Sequence, residues 1–511
     1  MSSDCRLDAP AWDAADPGRG HRVRATLLAV ASTVALALYF SWLLRPGRVG
    51  NPALFGLLLA AELFNVVQAL GFWWTCLARR RADSARGKMP LVDVDVFIPT
   101  YSEPTEVVEA TVAAAVQLHG ARVQVALLDD GNRDEMVDLA RRHGIRYVRR
   151  TLHQGAKAGN INHALGRTSA PYVLVLDCDH VPHPDLLIKT LPAFADDTVA
   201  YVQTPQYYAN ASSNRVAAAS WSQQALFFGP IARGKDAHQA MFCCGTNVVF
   251  RRRALEAVGG FPAGSLTEDF AISLELHERG WRSVYVPEVL ASGLGPEDLA
   301  SYVSQQHRWA RGCIGIIPTV LRAKLPLRHK LQYLLSASYF LTGWTVLVYL
   351  SMPVVRILTG AQPVAGAAAD SFLAAFGPYF ALSLATVASV GAGQYTFAAY
   401  SLATSTFWIH IHATYRTLRG RAGNFVVTPK RGAGGRQLRP AAPTLAVITV
   451  LVGAAVYGLF QDRDAATLNN VAFAALHVVV LGHGVAAAVA PSLVAVPVAG
   501  TVARDEQVVA A

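Results

Sequence analysis

The sequence predicts an α/β domain with a mostly parallel sheet, inserted between α-helices that span a membrane. Three observations carry this. Of 511 residues, 52% are hydrophobic and only 16% are charged, against roughly 25% charged in an ordinary soluble domain. The charge is uneven: residues 80–312 are charged and motif-rich, while both flanks are runs of Ala, Val, Leu and aromatic residues. Within the middle, short apolar runs alternate with helical stretches, the pattern of βαβ units.

The elements follow in order. Residues 1–24 form a polar tail. Charged residues precede the first apolar run and no small-residue cleavage site follows it, so a cleavable signal is not expected. The region 25–77 holds two apolar runs, 25–45 and 52–77, each long enough to cross a bilayer. Residues 90–312 are the soluble domain. The region 313–415 holds runs at 331–357 and 373–397, and 442–489 holds runs at 442–461 and 467–489. Six spans result. The run 401–415 carries His410 and His412 and leads into Arg416, Arg419 and Arg421. Like 311–328, it reads as an interfacial helix.

Basic residues collect on the cytoplasmic side of spans. Arg79, Arg80, Arg81, Arg86 and Lys88 follow the second span, and Lys430, Arg431 and Arg436 lie in the loop 416–441. The connector 358–372 has no Lys or Arg, and 462–466 has only Arg463. The soluble domain, the loop 416–441 and both tails (1–24 and 490–511) are therefore expected in the cytoplasm, beneath the cell membrane. The net charge of +10 favours anionic partners such as lipid headgroups or nucleotide phosphates. No nucleic-acid partner is expected, because the arginines cluster beside apolar runs. Six cysteines without a CxxC pair argue against a disulfide framework or a zinc site.

In the soluble domain, strands are expected at 94–98, 123–128, 146–149 and 172–176, with helices at 106–118 and 135–143. Ligands bind beyond the carboxyl ends of parallel strands, and the acidic clusters fall there. Asp177-Cys178-Asp179 offers two carboxylates that can share a hard cation and a bound diphosphate, the preference of Mg2+; a strand-to-helix turn capped by Asp179 or Asp185 is the plainer alternative. Asp129-Asp130-Gly131 is either a turn or a carboxylate facing a base. Lys157, among the glycines of His153–Asn160, can meet a phosphate or simply lead into a helix. Ser265 and Glu268 are spaced as a capping box, whereas Asp269 is free to act as a general base. Gln305-Gln306-His307-Arg308-Trp309 opens an amphipathic stretch, where Arg308 can grip a diphosphate through its planar fork and Trp309 can stack on a sugar.

Asp-Asp-Gly, Asp-x-Asp, Thr-Glu-Asp and Gln-x-x-Arg-Trp occur in this order over 129–309. The set resembles the processive family 2 glycosyltransferases, strongly over residues 91–312. Phe425-Val-Val427-Thr428-Pro-Lys430 looks like the gating loop of cellulose synthases, and Asp177-Cys-Asp-His180-Val-Pro, Gln203-Thr-Pro-Gln206 and Phe242-Cys-Cys244-Gly245-Thr246 look like further segments of that subgroup. The resemblance implies a GT-A (Rossmann-like) catalytic domain docked on a membrane channel, Mg2+ or Mn2+ as cofactor, a UDP-sugar donor, a growing polysaccharide acceptor and a possible accessory export subunit. By it, Thr100, Tyr101, Glu103, Asp129 and Asp130 would hold the nucleoside, Lys157 and Asp177 the diphosphate or ribose, and Asp177, Asp179 and His180 the metal. Asp269, with Glu268, would be catalytic. Gln305, Arg308 and Trp309 would hold the leaving diphosphate and acceptor, Cys244 and Gly245 would line the acceptor side, and Phe425, Val427, Thr428 and Lys430 would close over the nucleotide. Trp344, Tyr349, Tyr379, Tyr395 and Phe407 are candidates to line the channel.

Two departures stand out. About 20 residues follow the last span, where bacterial cellulose synthases usually carry a PilZ domain that binds cyclic di-GMP. Two spans rather than four precede the domain. A β-1,3, mixed-linkage or mannan-type product therefore stays open beside a cellulose-like one, as do chitin and hyaluronan. A single-transfer enzyme making lipid-linked sugars would need neither Gln-x-x-Arg-Trp nor the gating loop. A nucleotide-sensing transporter would leave the aspartates unexplained.

Overall fold

The computed structural model describes residues 18–79, 90–420 and 436–489. The Phe425, Val427, Thr428 and Lys430 segment and most of both tails lie outside the described residues. Two long helices come first, α1 (Arg19–Leu43) and α2 (Pro52–Leu77). The start of α2 is set by Asn51, whose side chain accepts from the amides of Ala53 and Leu54, and by Pro52 at the first helical position, where its missing N–H costs nothing.

The middle domain then runs β1 (Asp93–Thr100), α3 (Thr105–Ala115), β2 (Arg122–Asp129), α4 (Asp134–Arg142), β3 (Arg146–Val148), α5 (Ala156–Leu165) and β4 (Tyr172–Val175). It continues through β5 (Val181–Pro182), α6 (Leu186–Thr190), β6 (Val199–Gln203), β7 (Tyr207–Tyr208), α7 (Arg215–Leu226) and α8 (Ala232–Ala237). It closes with β8 (Val248–Arg251), α9 (Arg252–Val258), α10 (Glu268–Glu278), β9 (Arg282–Tyr285) and β10 (Ala291–Gly293). Seven strands form the main sheet in the order β3-β2-β1-β4-β8-β6-β9, and β5-β10-β7 form a small second sheet. Neighbours in the main sheet are parallel except β8, which runs against both β4 and β6. The mostly parallel expectation holds, with one reversed strand.

The central strands read as continuous apolar runs because both faces are covered. On one face Val96, Ile98, Leu127 and Leu174 pack with Val108, Met136 and Leu187 from helices; on the other Phe97, Leu128, Val175 and Phe250 pack with Ile161, Leu255 and Ile272. In α4, acidic residues fill the first turn and Arg141 and Arg142 the last, complementing the helix dipole.

Among the described residues, eight α-helices follow: α11 (Leu299–Arg322), α12 (Leu327–Ser338), α13 (Thr342–Thr359), α14 (Ala369–Val390), α15 (Phe397–Ser405), α16 (Phe407–Leu418), α17 (Leu438–Gln461) and α18 (Ala465–Val489). Asp298 caps α11 by accepting from the Ser301 amide at 2.7 Å. This helix runs unbroken through residue 312, so the soluble domain and the membrane region share one rigid element rather than a linker at 312/313. Six described segments are long and apolar enough to cross a membrane: Gly20–Leu43, Pro52–Leu77, Leu327–Thr359, Asp370–Val390, Leu438–Gln461 and Ala465–Val489. They match the six expected runs to within several residues. The 401–415 run is instead two short helices, α15 and α16, meeting at Thr406. At 1.5 Å per residue, neither reaches across.

Among the spans, Glu62 accepts from the Tyr39 hydroxyl at 3.3 Å, and Asn65 donates to the Tyr349 hydroxyl at 2.8 Å. Such polar contacts satisfy groups that lipid cannot. Tyr379 stacks on Tyr39, and Phe407 is buried against Leu350 and Leu451, so these two channel candidates sit in packed cores. None of the five described cysteines is in a disulfide.

One buried ion pair locks the domain. Arg252 Nη2 lies 2.7 Å from Asp95 Oδ2, with side-chain exposures of 8% and 2%. The guanidinium also donates to the carbonyls of Ala170 and Leu165 and to Thr168 Oγ1, and Asp95 accepts from the Ala170 amide. Removing one partner strands the other charge, at a cost of about 3–5 kcal/mol. Arg252→Ala is thus expected to lower the thermal unfolding temperature of the solubilised protein markedly. An unchanged melting curve would show that this pair is not structural.

Candidate active site

The carboxyl ends of β1, β2 and β4 open on one mouth. Past β1, Glu103 Oε2 accepts from Thr100 Oγ1 (2.8 Å) and from the amides of Tyr101 (2.7 Å) and Ser102 (3.1 Å). The Glu103 carboxylate is therefore committed to its own turn, and Tyr101 is left 53% exposed. Past β2, the two aspartates diverge. Asp129 is fully buried. It accepts from the amides of Gly131 (2.9 Å) and Arg133 (2.7 Å) and from the Tyr147 hydroxyl (3.1 Å). Asp129 therefore shapes the turn and sits behind the mouth, contrary to its expected contact with a nucleoside. Asp130 faces the opening. Tyr101, Ser102, Asp130, Gly131, Asn132 and His153 line a cavity of about 470 Å³.

Two arginines that the sequence does not single out organise this edge. Arg133 donates to the Glu103 carbonyl (2.6 Å) and to Thr100 Oγ1 (2.8 Å), knitting the ends of β1 and β2. Arg150 holds both oxygens of Asp130 at 2.7 Å and donates to the carbonyls of Gln154 and Ala156. It fixes Asp130 relative to the start of α5. Their only sequence signal is position, a basic residue just beyond a strand end, Arg133 after β2 beside Asp-Asp-Gly and Arg150 after β3.

Lys157, in the first turn of α5, crosses to the end of β4. Its Nζ donates to Asp177 Oδ1 and to the Gly245 carbonyl at 2.7 Å. Burial works against the ammonium charge, but Asp177, Glu268 and Asp269 outweigh it and its pKa rises. Burial likewise opposes the Asp177 charge, and Lys157 and His180 more than compensate, leaving Asp177 below the ordinary carboxylate range. The Asp177 amide donates to Thr246 Oγ1 at 2.7 Å.

Ligand atoms of Asp177, Asp179 and His180 all lie within 4.8 Å of one another. His180 is buried, with Nδ1 standing 3.4 Å from Asp179 Oδ1 and Nε2 without a hydrogen-bond partner among the described residues. Leaving a sheltered polar atom unpaired costs about 1–3 kcal/mol, which a divalent cation would offset. Two carboxylates and an imidazole suit Mg2+ or Mn2+ with phosphate oxygens completing the shell.

The segments 203–206 and 242–246, some forty residues apart, are zipped together. Gln203 Nε2 donates to the Thr246 carbonyl (2.9 Å), the Cys244 amide to Gln203 Oε1 (2.8 Å) and Gln206 Nε2 to the Cys244 carbonyl (2.8 Å). The zip presents Gly245 to Asp269. Gly245 has φ +83, and a Cβ there would stand 3.0 Å from Asp269 Oδ2. Only glycine gives both this backbone shape and this clearance.

Asp269 is the second residue of α10. Thr267 occupies the cap, and Ser265 Oγ accepts from the Thr267 amide at 3.2 Å. The expected capping box between Ser265 and Glu268 does not form, because Ser265 lies two residues ahead of the cap. Glu268 is the first helical residue and is buried. Burial pushes Asp269 up to about 7; Glu268 adds to this, while Arg308 and Lys157 oppose it. Arg308, on α11, thus stands near Asp269. Trp309 packs with Phe270, Cys313 and Tyr333, joining α10, α11 and α12. Gln305 Oε1 is sheltered and without a partner. The close approach of α11 depends on Gly312, where a Cβ would meet Thr267 Cγ2 at 2.3 Å.

Residues 90–312 match the family model described as glycosyltransferase like family 2, and residues 256–391 match the one described as cellulose synthase. The UDP-forming cellulose synthase catalytic subunit of Komagataeibacter sucrofermentans is 33% identical over 475 residues, covering 87% of this chain and 62% of that protein. The corresponding subunit of Xanthomonas axonopodis pv. citri is 36% identical over 347 residues, covering 64% of this chain and 47% of that protein. The chain thus spans about half to three-fifths of the length of these relatives. A solved mannosyltransferase from Pyrobaculum calidifontis, in complex with GDP-Man and Mn2+, superposes with a TM-score of 0.53 at 19% identity, covering 72% of this chain and 99% of that one. That likeness establishes the GT-A fold.

A base at Asp269 works only when ionised. Turnover is expected to rise with pH through about 7 and to be lost as the carboxylate is protonated below it. Asp269→Asn removes that limb and lowers kcat by about 10²–10⁴-fold. A pH–rate profile with no rising limb in the wild type would show that another group is the base.

Proposed function

We propose that the chain is a member of the cellulose synthase-like family 2 glycosyltransferases and works as a membrane-embedded processive synthase. It polymerises a β-linked glucan from UDP-glucose, adds each sugar at the non-reducing end and passes the chain through its membrane helices. The observation that carries this reading is the meeting of Asp269, Gly245, Lys157 and Arg308 at one point, where the sheet mouth abuts the helix that enters the membrane region. The family relatives, UDP-forming cellulose synthase subunits, support the donor and the product class. The basic residues beside the second span and in the loop 416–441 support a catalytic domain on the cytoplasmic face of the inner membrane.

The chemistry follows from the residues. Asp269 takes the proton from the acceptor's terminal hydroxyl. The oxygen, held by the 242–246 segment and Trp309, attacks the anomeric carbon from the face opposite the diphosphate. The bond to the diphosphate breaks, UDP leaves, and the α linkage of the donor becomes β. Arg308 and Lys157 supply fixed positive charge where the leaving diphosphate gathers negative charge, and such preorganised electrostatics commonly form the largest catalytic contribution. A divalent cation held by Asp179, His180 and the free oxygen of Asp177 would supply further positive charge to the same phosphates. The cavity beneath Tyr101 and Asp130 suits the nucleoside, Tyr101 offering an exposed ring to stack on a base. Phe425, Thr428 and Lys430 would close over it.

Purified full-length protein should form polymer from UDP-glucose with Mg2+ or Mn2+, and chelation should stop it. An endo-β-1,4-glucanase should degrade the product. Resistance to that enzyme would move the linkage to β-1,3 or mixed. Polymer from GDP-mannose or UDP-N-acetylglucosamine alone would move the donor. UDP release without polymer would mean single transfer or a missing export subunit.

A further inference from the structure

One buried cation lies outside the mechanism. Lys235, in the short helix α8, is only 2% exposed. Its Nζ donates to the Gln332 carbonyl at 2.8 Å and to Gln332 Oε1 at 3.2 Å, both on α12. It also lies over the Phe242 ring, 5.5 Å from the centroid. Both oxygens it meets are neutral. The titratable groups that act on it are the thiols of Cys76 on α2 and of Cys244. Asp236, the next residue, accepts from the Tyr285 amide of β9 at 2.9 Å. Arg233 and His238 of α8 and Arg328 of α12 offer no negative charge.

The seat is tightly built. Gln332 is fully buried, and its side-chain amide donates to Thr75 Oγ1 of α2 at 2.9 Å. At Gly234, beside Lys235, a Cβ would stand 1.9 Å from the Thr75 carbonyl oxygen, so α8 meets α2 at a distance only glycine permits. Burying an ammonium away from carboxylates is costly. Burial pushes Lys235 from 10.5 down to about 7, and the two thiols only partly oppose this. Holding the proton in the fold therefore costs stability, fully so below about 7 and less as pH rises toward the unfolded value. A residue that costs stability where methionine would fill the same space answers to something other than the fold.

That something is Phe242. Its ring lies 4.6 Å from the ring of Phe270, the residue after Asp269. Its chain runs on through Cys243, whose amide donates to Ser273 Oγ of α10 at 2.7 Å, and Cys244, whose amide donates to Gln203 Oε1 at 2.8 Å. We infer that Lys235 is a positioning residue for the acceptor: seated on α2 and α12, it fixes the Phe242 ring and with it the 242–246 segment opposite Asp269. A cation over a ring face is worth more in a dry site than at a surface. The inference rests on the reading of 242–246 as the acceptor side.

Lys235→Met, Phe242→Leu and the double variant test it, each as full-length protein in detergent. Hydrogen exchange of peptides covering 242–246 should quicken about tenfold in either single variant, and the double variant should exchange no faster than Phe242→Leu. Lys235→Met should melt at or above the wild-type temperature at about pH 6, and any gain should fade toward about pH 10. With UDP-glucose as donor, its kcat should fall about ten- to a hundredfold at unchanged donor KM. Unchanged exchange over 242–246, or fully additive effects in the double variant, would overturn the inference. A lowered melting temperature in Lys235→Met would make the lysine a structural contact and overturn it too. Exchange is read without turnover, so a wild-type protein that makes no polymer would count against the synthase reading while exchange still decides the role of Lys235.

Discussion

The site depends on one ammonium held between two oxygens. Lys157 reaches from the first turn of α5 to the Asp177 carboxylate and the Gly245 carbonyl. Through these contacts it joins the end of β4 to the segment that faces Asp269. Without it, two carboxylates and a metal-ligand set would face each other with little to balance their charge. Because the ammonium is partly buried, with 16% of the side chain exposed, these contacts are worth somewhat more than they would be in water. The same charge is available to a phosphate when one arrives.

Asp269, the proposed base, is held from the opposite side. Phe270 and Leu274 of α10 pack with Ala310, Cys313 and Ile314 of α11, with Tyr333 of α12 and with Ala413 of α16. Two glycines make the contact tight enough, Gly312 where α11 passes Thr267 and Gly245 where the loop passes Asp269. His277, further along α10, meets Tyr333 at 2.7 Å and Ser283 at 3.0 Å. The helix that carries Asp269 is thereby packed against α11, α12 and α16 as well as against its own sheet.

Much of this was legible in the sequence because its signals are periodic or chemical. Six apolar runs, the βαβ alternation and the strand-end aspartates need no packing to be read. What escaped is what packing decides. Asp129 and Asp130 are neighbours in a single motif, yet one is buried in its own turn while the other faces the cavity, a choice made by Arg133, Tyr147 and Arg150. Ser265 and Glu268 have capping-box spacing, yet Thr267 takes the cap. The reversed strand β8 and the unbroken run of α11 through residue 312 depend on partners distant in the chain. The pairing of 203–206 with 242–246 has no local signal at all.

The central claim is that one mouth, seated on the membrane helices, adds sugars to a chain it does not release. The length of the first products tests this most directly. Purified protein is given labelled UDP-glucose with Mg2+, and products are sized while only a small share of the donor has been used. The account predicts long chains from the outset, with unreacted acceptor remaining. A ladder of short oligomers that lengthens together with time would contradict it.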